Sequence, residues 1–291
     1  MPASPPRFAS IQVLRAIAAN MVVVSHLAIV ESKYGHGFAL IPPCDGLGRA
    51  GVHMFFGISG FVMAVVVSGR PSWRGFLWAR LTRIYPIYWF YTALVLLSAL
   101  IVPVNSSFEQ TPSLVRSLLL WPDATLPWLA VGWSLVHEMY FYLIVAVLLA
   151  LRINLVAGLL IWATFTALPV PPRTPELALV FNAFSFEFIA GALLALAILK
   201  LPRLPTLPRW RLLETLGDAS YSVYLSHVLV LSLIGRLFNL LPAHGWLAEA
   251  VFVVVCLVAA NAWGVVSYRL LELPVINTVR STATRRVALA R

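Results

Sequence analysis

Residues 11–30 read IQVLRAIAANMVVVSHLAIV, twenty positions in which Arg15 is the one permanently charged side chain. Coiled as a helix at 1.5 Å per residue, the run is about 30 Å long, the thickness of a bilayer's hydrocarbon core. A backbone in lipid has to satisfy its own hydrogen bonds, and a helix does so within one segment. Arg7 precedes the run, and Glu31, Ser32 and Lys33 follow it where a leader would carry a small-residue cleavage site. The run is therefore expected to be a retained first span.

Seven further segments meet the same length criterion: roughly 51–68, 84–103, 128–151, 153–168, 177–199, 216–241 and 247–271. Prolines punctuate the gaps, at Pro42-Pro43, Pro112, Pro127, Pro171-Pro172, Pro202 to Pro208 and Pro242. Only Arg152 separates the fourth segment from the fifth, which predicts a tight helical hairpin. The fold class expected is all-α, a polytopic membrane bundle of eight helices, with ten as an upper count. It forms one membrane-embedded domain over 1–275, followed by a short basic tail over 276–291.

Composition agrees with the segment count. The chain has 291 residues, 60% hydrophobic and 11% charged, where soluble domains are about 45–50% apolar and about 25% charged. A soluble fold of this composition would leave a large apolar surface in water. The net charge of +10 does not describe a nucleic-acid binder, because its Lys and Arg residues lie between apolar runs and form no single basic module. Cys44 and Cys256, one in a loop and one inside an apolar segment, support neither a disulfide framework nor a thiolate metal site.

An even number of spans puts both termini on one side. That side collects Arg15, Arg74, Arg80, Arg83, Arg152 and the C-terminal arginines, while the other holds only Lys33, Arg49, Arg116, Arg173 and Arg236 of the 21 Lys and Arg residues. The positive-inside rule makes the first side cytoplasmic and turns the loop 104–127 outward.

An ionisable side chain near the bilayer centre costs about 2.5–3.5 kcal/mol on insertion scales, so each one in a span is a functional candidate. Arg15 and His26 are eleven residues apart, three turns plus about 20°, so they share a helix face and stand roughly 16 Å apart along the axis. This arrangement suits an anionic group held near the cytoplasmic end and an extended arm running toward the histidine. The plainer alternative is an interfacial arginine and a packing histidine. Arg80 and Arg83, just before the third segment, have i, i+3 spacing and present two guanidinium groups to one side, as phosphate recognition or a membrane-interface anchor requires. In the fourth segment Ser134, Glu138 and Tyr142 follow one another at i, i+4, beside Trp133. A buried carboxylate there needs a partner, either a histidine of the bundle or a serine or arginine on a neighbouring helix. Glu187, Tyr221 and His227 are further polar positions, explicable by function or by helix-to-helix hydrogen bonding.

Taken together, seven blocks in order resemble the acyltransferase 3 family of membrane-bound acyltransferases, in particular its exopolysaccharide O-acetyltransferase branch. They are IQVLRAIAANMVVVSH with its Arg-x10-His spacing, GVHMFFGISGF at 51–61, and ARLTRIYPIYW at 79–89 with the RxxR pair. GWSLVHEMYFYL at 132–143, FEFIAGALLA at 186–195, LGDASYSVYLSH at 216–227 and SYRLLELP at 267–274 complete the set. Two features depart from the family pattern. His53 stands where many members carry Asp, and the eight segments fall short of the usual ten-helix core, unless pieces such as 114–121 are also embedded.

The resemblance implies transfer of an acyl group, most often acetyl, from cytoplasmic acyl-coenzyme A to a hydroxyl of an exported or lipid-linked saccharide at a bacterial inner membrane. On that reading Arg15, Arg80 and Arg83 bind the donor's phosphates, and His26 acts as general base or is transiently acylated. Glu138 orients the imidazole, and Trp133, Ser134, Tyr142, Tyr221 and His227 are candidate substrate contacts. No metal is called for. The rival classes are a flippase for a lipid-linked saccharide or acyl compound, which has no need of the RxxR pair, and a non-catalytic assembly subunit. Trp121, Trp128 and Tyr34 are aromatic residues suited either to stacking on sugar rings or to an interfacial belt.

Overall fold

The computed structural model describes residues 9–36, 39–101, 111–200, 210–242 and 244–278. Residues 104–110 of the outward loop, the proline cluster 202–208 and most of the basic tail, 279–291, lie outside them. Every regular element among the described residues is helical: α1 Ala9–Tyr34, α2 Asp45–Ser68, α3 Trp73–Ile101, α4 Leu114–Leu119, α5 Trp133–Ala150, α6 Leu155–Thr166, α7 Pro175–Val180, α8 Phe184–Ile198, α9 Arg211–Asp218, α10 Ser220–Asn239 and α11 Trp246–Ser267, which continues into a π turn, Tyr268–Glu272. Taking α7 with α8, seven of these stretches are long and apolar enough to cross a membrane. The eighth expected span, 153–168, is the 12-residue α6, about 18 Å long and so short of the bilayer core.

Four boundaries differ from the hydropathy reading. Helix α3 begins at Trp73, so Arg80 and Arg83 lie inside the helix and not ahead of it. The segment 177–199 is two helices, because the chain leaves α7 at Phe181 and Asn182 Oδ1 accepts the Phe184 N–H at 3.0 Å to start α8. The segment 216–241 divides at Ala219 between α9 and α10. Residues 114–119 form the short helix α4 within the loop. The hairpin at Arg152 is present: Arg152 takes a left-handed conformation, φ 54°, while the Ile153 N–H reaches back to Leu148 O at 3.0 Å and closes α5.

The chain divides into two compact units. One comprises Phe8–Phe55 and Leu207–Leu273; the other includes Phe56–Thr206 and the segment from Pro274 onward. In the first, α1 packs on α9, α10 and α11, and α10 packs on α11. Ala19, Val23, Leu27, Val223, Leu231, Phe252 and Cys256 fill the space between them. Asn20 and Asn261 exchange amide hydrogen bonds at 3.2 and 2.8 Å, and each also donates to the carbonyl four residues earlier. All four amide N–H groups are thus satisfied within an apolar surround, which ties α1 to α11. Glu31, almost fully buried, accepts the Leu40 and Ile41 N–H groups at 2.8 and 2.9 Å, while Glu249 accepts that of His36 at 2.6 Å.

In the second unit α3 packs on α5, and α5 on α7 and α8. The C-terminal half of α2 meets α8 backbone to backbone: a Cβ on Gly60 would fall on the Phe188 carbonyl, and one on Gly191 on that of Gly57. Small residues permit this close approach in lipid, where packing replaces the hydrophobic effect as the force between helices. Phe141, Trp162 and Phe188 form an aromatic core, with Phe141 and Phe188 at 4.7 Å and Trp162 Nε1 donating to Tyr140 Oη at 3.1 Å. Helix α11 shows where lipid belongs. Phe252, Cys256, Ala260 and Gly264 are buried, while Val251, Val254, Val255 and Val258 on the opposite side are about half exposed or more. A helix apolar on both faces is a membrane span or a fully buried one, and this helix is not fully buried.

Candidate active site

In the first unit the polar interior centres on two histidines. His26 on α1 and His227 on α10 meet edge to face, with ring centroids 4.9 Å apart and planes at 72°. Each places Nδ1 against the carbonyl one turn earlier on its own helix: Val22 O at 3.0 Å for His26 and Val223 O at 3.2 Å for His227. A carbonyl only accepts, so Nδ1 is the donor in both rings, and in the neutral imidazole Nε2 keeps the lone pair. His227 is fully buried and its Nε2 has no hydrogen-bond partner. His26 is partly exposed. Tyr224 lies 6.0 Å from His227 and 5.7 Å from Phe55, extending the ring cluster along α10, with Tyr221 one turn before it. Arg15, three turns from His26 on α1, donates to Gln12 Oε1 at 3.4 Å.

In the second unit the polar cluster is built from charge. Glu138 on α5 accepts from Ser59 Oγ of α2 at 3.1 Å and, at the same oxygen, from the Tyr142 hydroxyl. The guanidinium of Arg80 reaches the Tyr142 hydroxyl, lies within electrostatic range of Glu138, and covers the Phe76 ring at 5.9 Å. Phe76 in turn meets the Tyr142 ring edge-on at 6.2 Å. Arg83 is the neighbouring positive charge on α3. Ser134 is buried and donates to Val131 O at 3.2 Å, holding the short turn that leads into α5. Trp133 packs edge-on against His137 and at a tilt of 43° against Phe184, both at 5.7 Å.

Of the residues the sequence singled out, the structure joins His26 with His227, and Arg80 with Glu138 and Tyr142. It does so in separate units. Against known proteins, residues 8–202 and 152–269 match the model of the acyltransferase 3 family, described as an acyltransferase domain. The chain belongs to the acyltransferase 3 family. This membrane-bound acyltransferase is 26% identical over 308 residues to exopolysaccharide production protein ExoZ of Rhizobium meliloti (strain 1021), an alignment that covers 86% of the chain and 94% of the relative. No solved structure gives a significant match.

Two residues of the acyltransferase's polar clusters carried no assigned role in the sequence reading. Ser59 supplies a hydrogen bond to Glu138 from 79 positions away. Its signal was the only hydroxyl in GVHMFFGISGF, a run otherwise of Gly, His and apolar residues. His137 stands next to Glu138 on α5, its Nδ1–H held by Trp133 O at 3.2 Å.

Proposed function

We propose that this acyltransferase moves an acetyl group from cytoplasmic acetyl-coenzyme A to a hydroxyl of an exported polysaccharide or its lipid-linked precursor, in a bacterial inner membrane. Family membership supports acyl transfer; the relative named for exopolysaccharide production supports the acceptor class. The observation that carries the mechanism is the His26 ring, whose Nδ1 is committed to Val22 O while Nε2 keeps the lone pair.

In the reaction, Nε2 of His26 takes the proton of the acceptor hydroxyl as its oxygen bonds to the thioester carbonyl carbon. The carbon–sulfur bond then breaks, and the proton passes to the departing thiolate. Acetyl ester and free coenzyme A result. A positioned general base of this kind contributes typically about 10²–10⁴-fold. His227 packs edge-on against the catalytic ring at 4.9 Å. Arg15, and Arg80 with Arg83, are the candidate contacts for the donor's phosphates, where guanidinium forks match phosphate oxygens. Ser59, Tyr142 and Arg80 around Glu138 support a positioning role for that carboxylate, ordering Arg80 through Tyr142.

The test uses purified protein, acetyl-coenzyme A labelled in the acetyl group, and de-O-acetylated polysaccharide. Label entering the saccharide with wild type and not with His26→Ala is the expected result. Equal labelling by a folded His26→Ala protein would remove the base, and no labelling by wild type would favour a transport role.

A further inference from the structure

The second unit contains a cleft of about 250 Å³ whose walls include Trp121, Asp123, Trp133, His137 and Asn182. It lies at the Trp133 end of α5. Arg152 marks the other end, about 28 Å away along the helix axis, so the positive-inside orientation opens the cleft to the outer face.

Its floor is fixed by an unusual set of bonds. Three aromatic donors from α3 reach the last three carbonyls of α4, of which that of Ser117 also accepts the Leu120 N–H at 3.1 Å. Tyr88 Oη donates to Ser117 O at 2.7 Å, Trp89 Nε1 to Leu118 O at 2.9 Å, and Tyr85 Oη to Leu119 O at 2.7 Å. The loop after α4 is pinned as well. Trp128 N donates to Ser117 Oγ at 3.1 Å, and Arg116 Nη1 donates to Pro122 O at 2.8 Å while lying 3.7 Å from Asp123 and 3.6 Å from Glu176. Glu176 accepts from Trp121 Nε1 at 3.2 Å, so the edge of that indole is held while half its surface stays open.

The opposite wall is the break between α7 and α8. Irregular backbone at membrane depth is tolerated where it lines a cavity, and broken helices mark binding sites in membrane proteins. Asn182, at this break, spends Oδ1 on the Phe184 N–H and leaves its amide N–H₂ to the cleft. His137 spends Nδ1 on Trp133 O and leaves Nε2. Two indole rings, an amide donor, an imidazole acceptor and a carboxylate at one opening match the apolar faces and hydroxyl edges of a sugar ring. An acyl chain would leave those polar groups unpaired.

We propose that this cleft binds a sugar residue of the acceptor, an inference that rests on the acyl-transfer reading above. Trp121 is the stacking platform, and Asn182, His137 and Asp123 are the hydroxyl partners. Being half exposed, Trp121 can be replaced without opening the core.

The experiment titrates full-length protein in nanodiscs, by calorimetry, with oligosaccharides cut from the producing cell's own de-O-acetylated exopolysaccharide. The same variants are then assayed for transfer. Expected are saturable binding by wild type, a loss of at least about fivefold in Trp121→Ala and in Asn182→Ala, and near-wild-type binding by Trp121→Phe. In turnover the acceptor KM rises by the same factor, with the acetyl-coenzyme A KM unchanged within about twofold. Binding without transfer by wild type leaves the cleft standing and removes the acyl-transfer reading. Three results overturn the cleft assignment: no binding by wild type, transfer whose acceptor KM neither alanine variant moves, or displacement of the oligosaccharide by dodecyl phosphate but not by a second sugar.

Discussion

The two units hold their functional groups by different means. The imidazoles of His26 and His227 are each oriented by a carbonyl four residues back on the same helix. The carboxylate of Glu138 and the guanidinium of Arg80 sit in a cluster assembled from three helices, α2, α3 and α5. A group oriented by its own helix keeps its tautomer wherever that helix stays folded. A group oriented by neighbours depends on the packing of the whole unit. The base should therefore tolerate changes around it, and the charge cluster should not.

The largest effect is expected from removing the base itself. His26→Ala should lower transfer by about 10²–10⁴-fold in a labelled-acetyl assay while leaving the melting temperature within a few degrees of wild type. Next comes the charge cluster. Glu138→Ala strips Ser59 and Tyr142 of their acceptor and Arg80 of its nearby negative charge, so stability should fall by about 1–3 kcal/mol and the donor KM should rise about tenfold. Unchanged thermal stability there would break the contrast between the units. His227→Phe preserves an aromatic edge beside His26 and leaves Val22 O in place, so transfer should stay within about tenfold of wild type. A loss as deep as that of His26→Ala would show that the base is not oriented locally. The smallest effect belongs to the amide pair: Asn20→Leu should cost about 0.6–1.7 kcal/mol in unfolding experiments, with little change in kcat.

Much of this arrangement was legible in the residues. Apolar runs of about twenty positions located the long helices, and i, i+4 spacing placed Glu138 and Tyr142 on one face of α5, where they are hydrogen-bonded. The start of α3 was not legible, because Trp73, Arg74, Trp78, Arg80 and Arg83 dilute its hydropathy and read as an interfacial approach to a helix. The break at Asn182 was hidden inside an apolar run, since a single side-chain cap is enough to interrupt it. Helix α4 is six residues long, too short for periodicity to show, and its anchors come from α3 about thirty positions away. Contacts of that sequence separation, like Ser59 with Glu138, are properties of the packed unit and leave no local pattern. The family blocks named the chemistry, whereas the direction of the His26 lone pair came only from geometry.

The central claim is transfer across the membrane from a donor on the basic face to an acceptor on the other. Sealed inside-out vesicles carrying the protein, loaded with de-O-acetylated oligosaccharide and given labelled acetyl-coenzyme A outside, test it most directly. The account expects label in the enclosed saccharide, dependent on His26. Label confined to saccharide added outside, on the donor's own side, would contradict it.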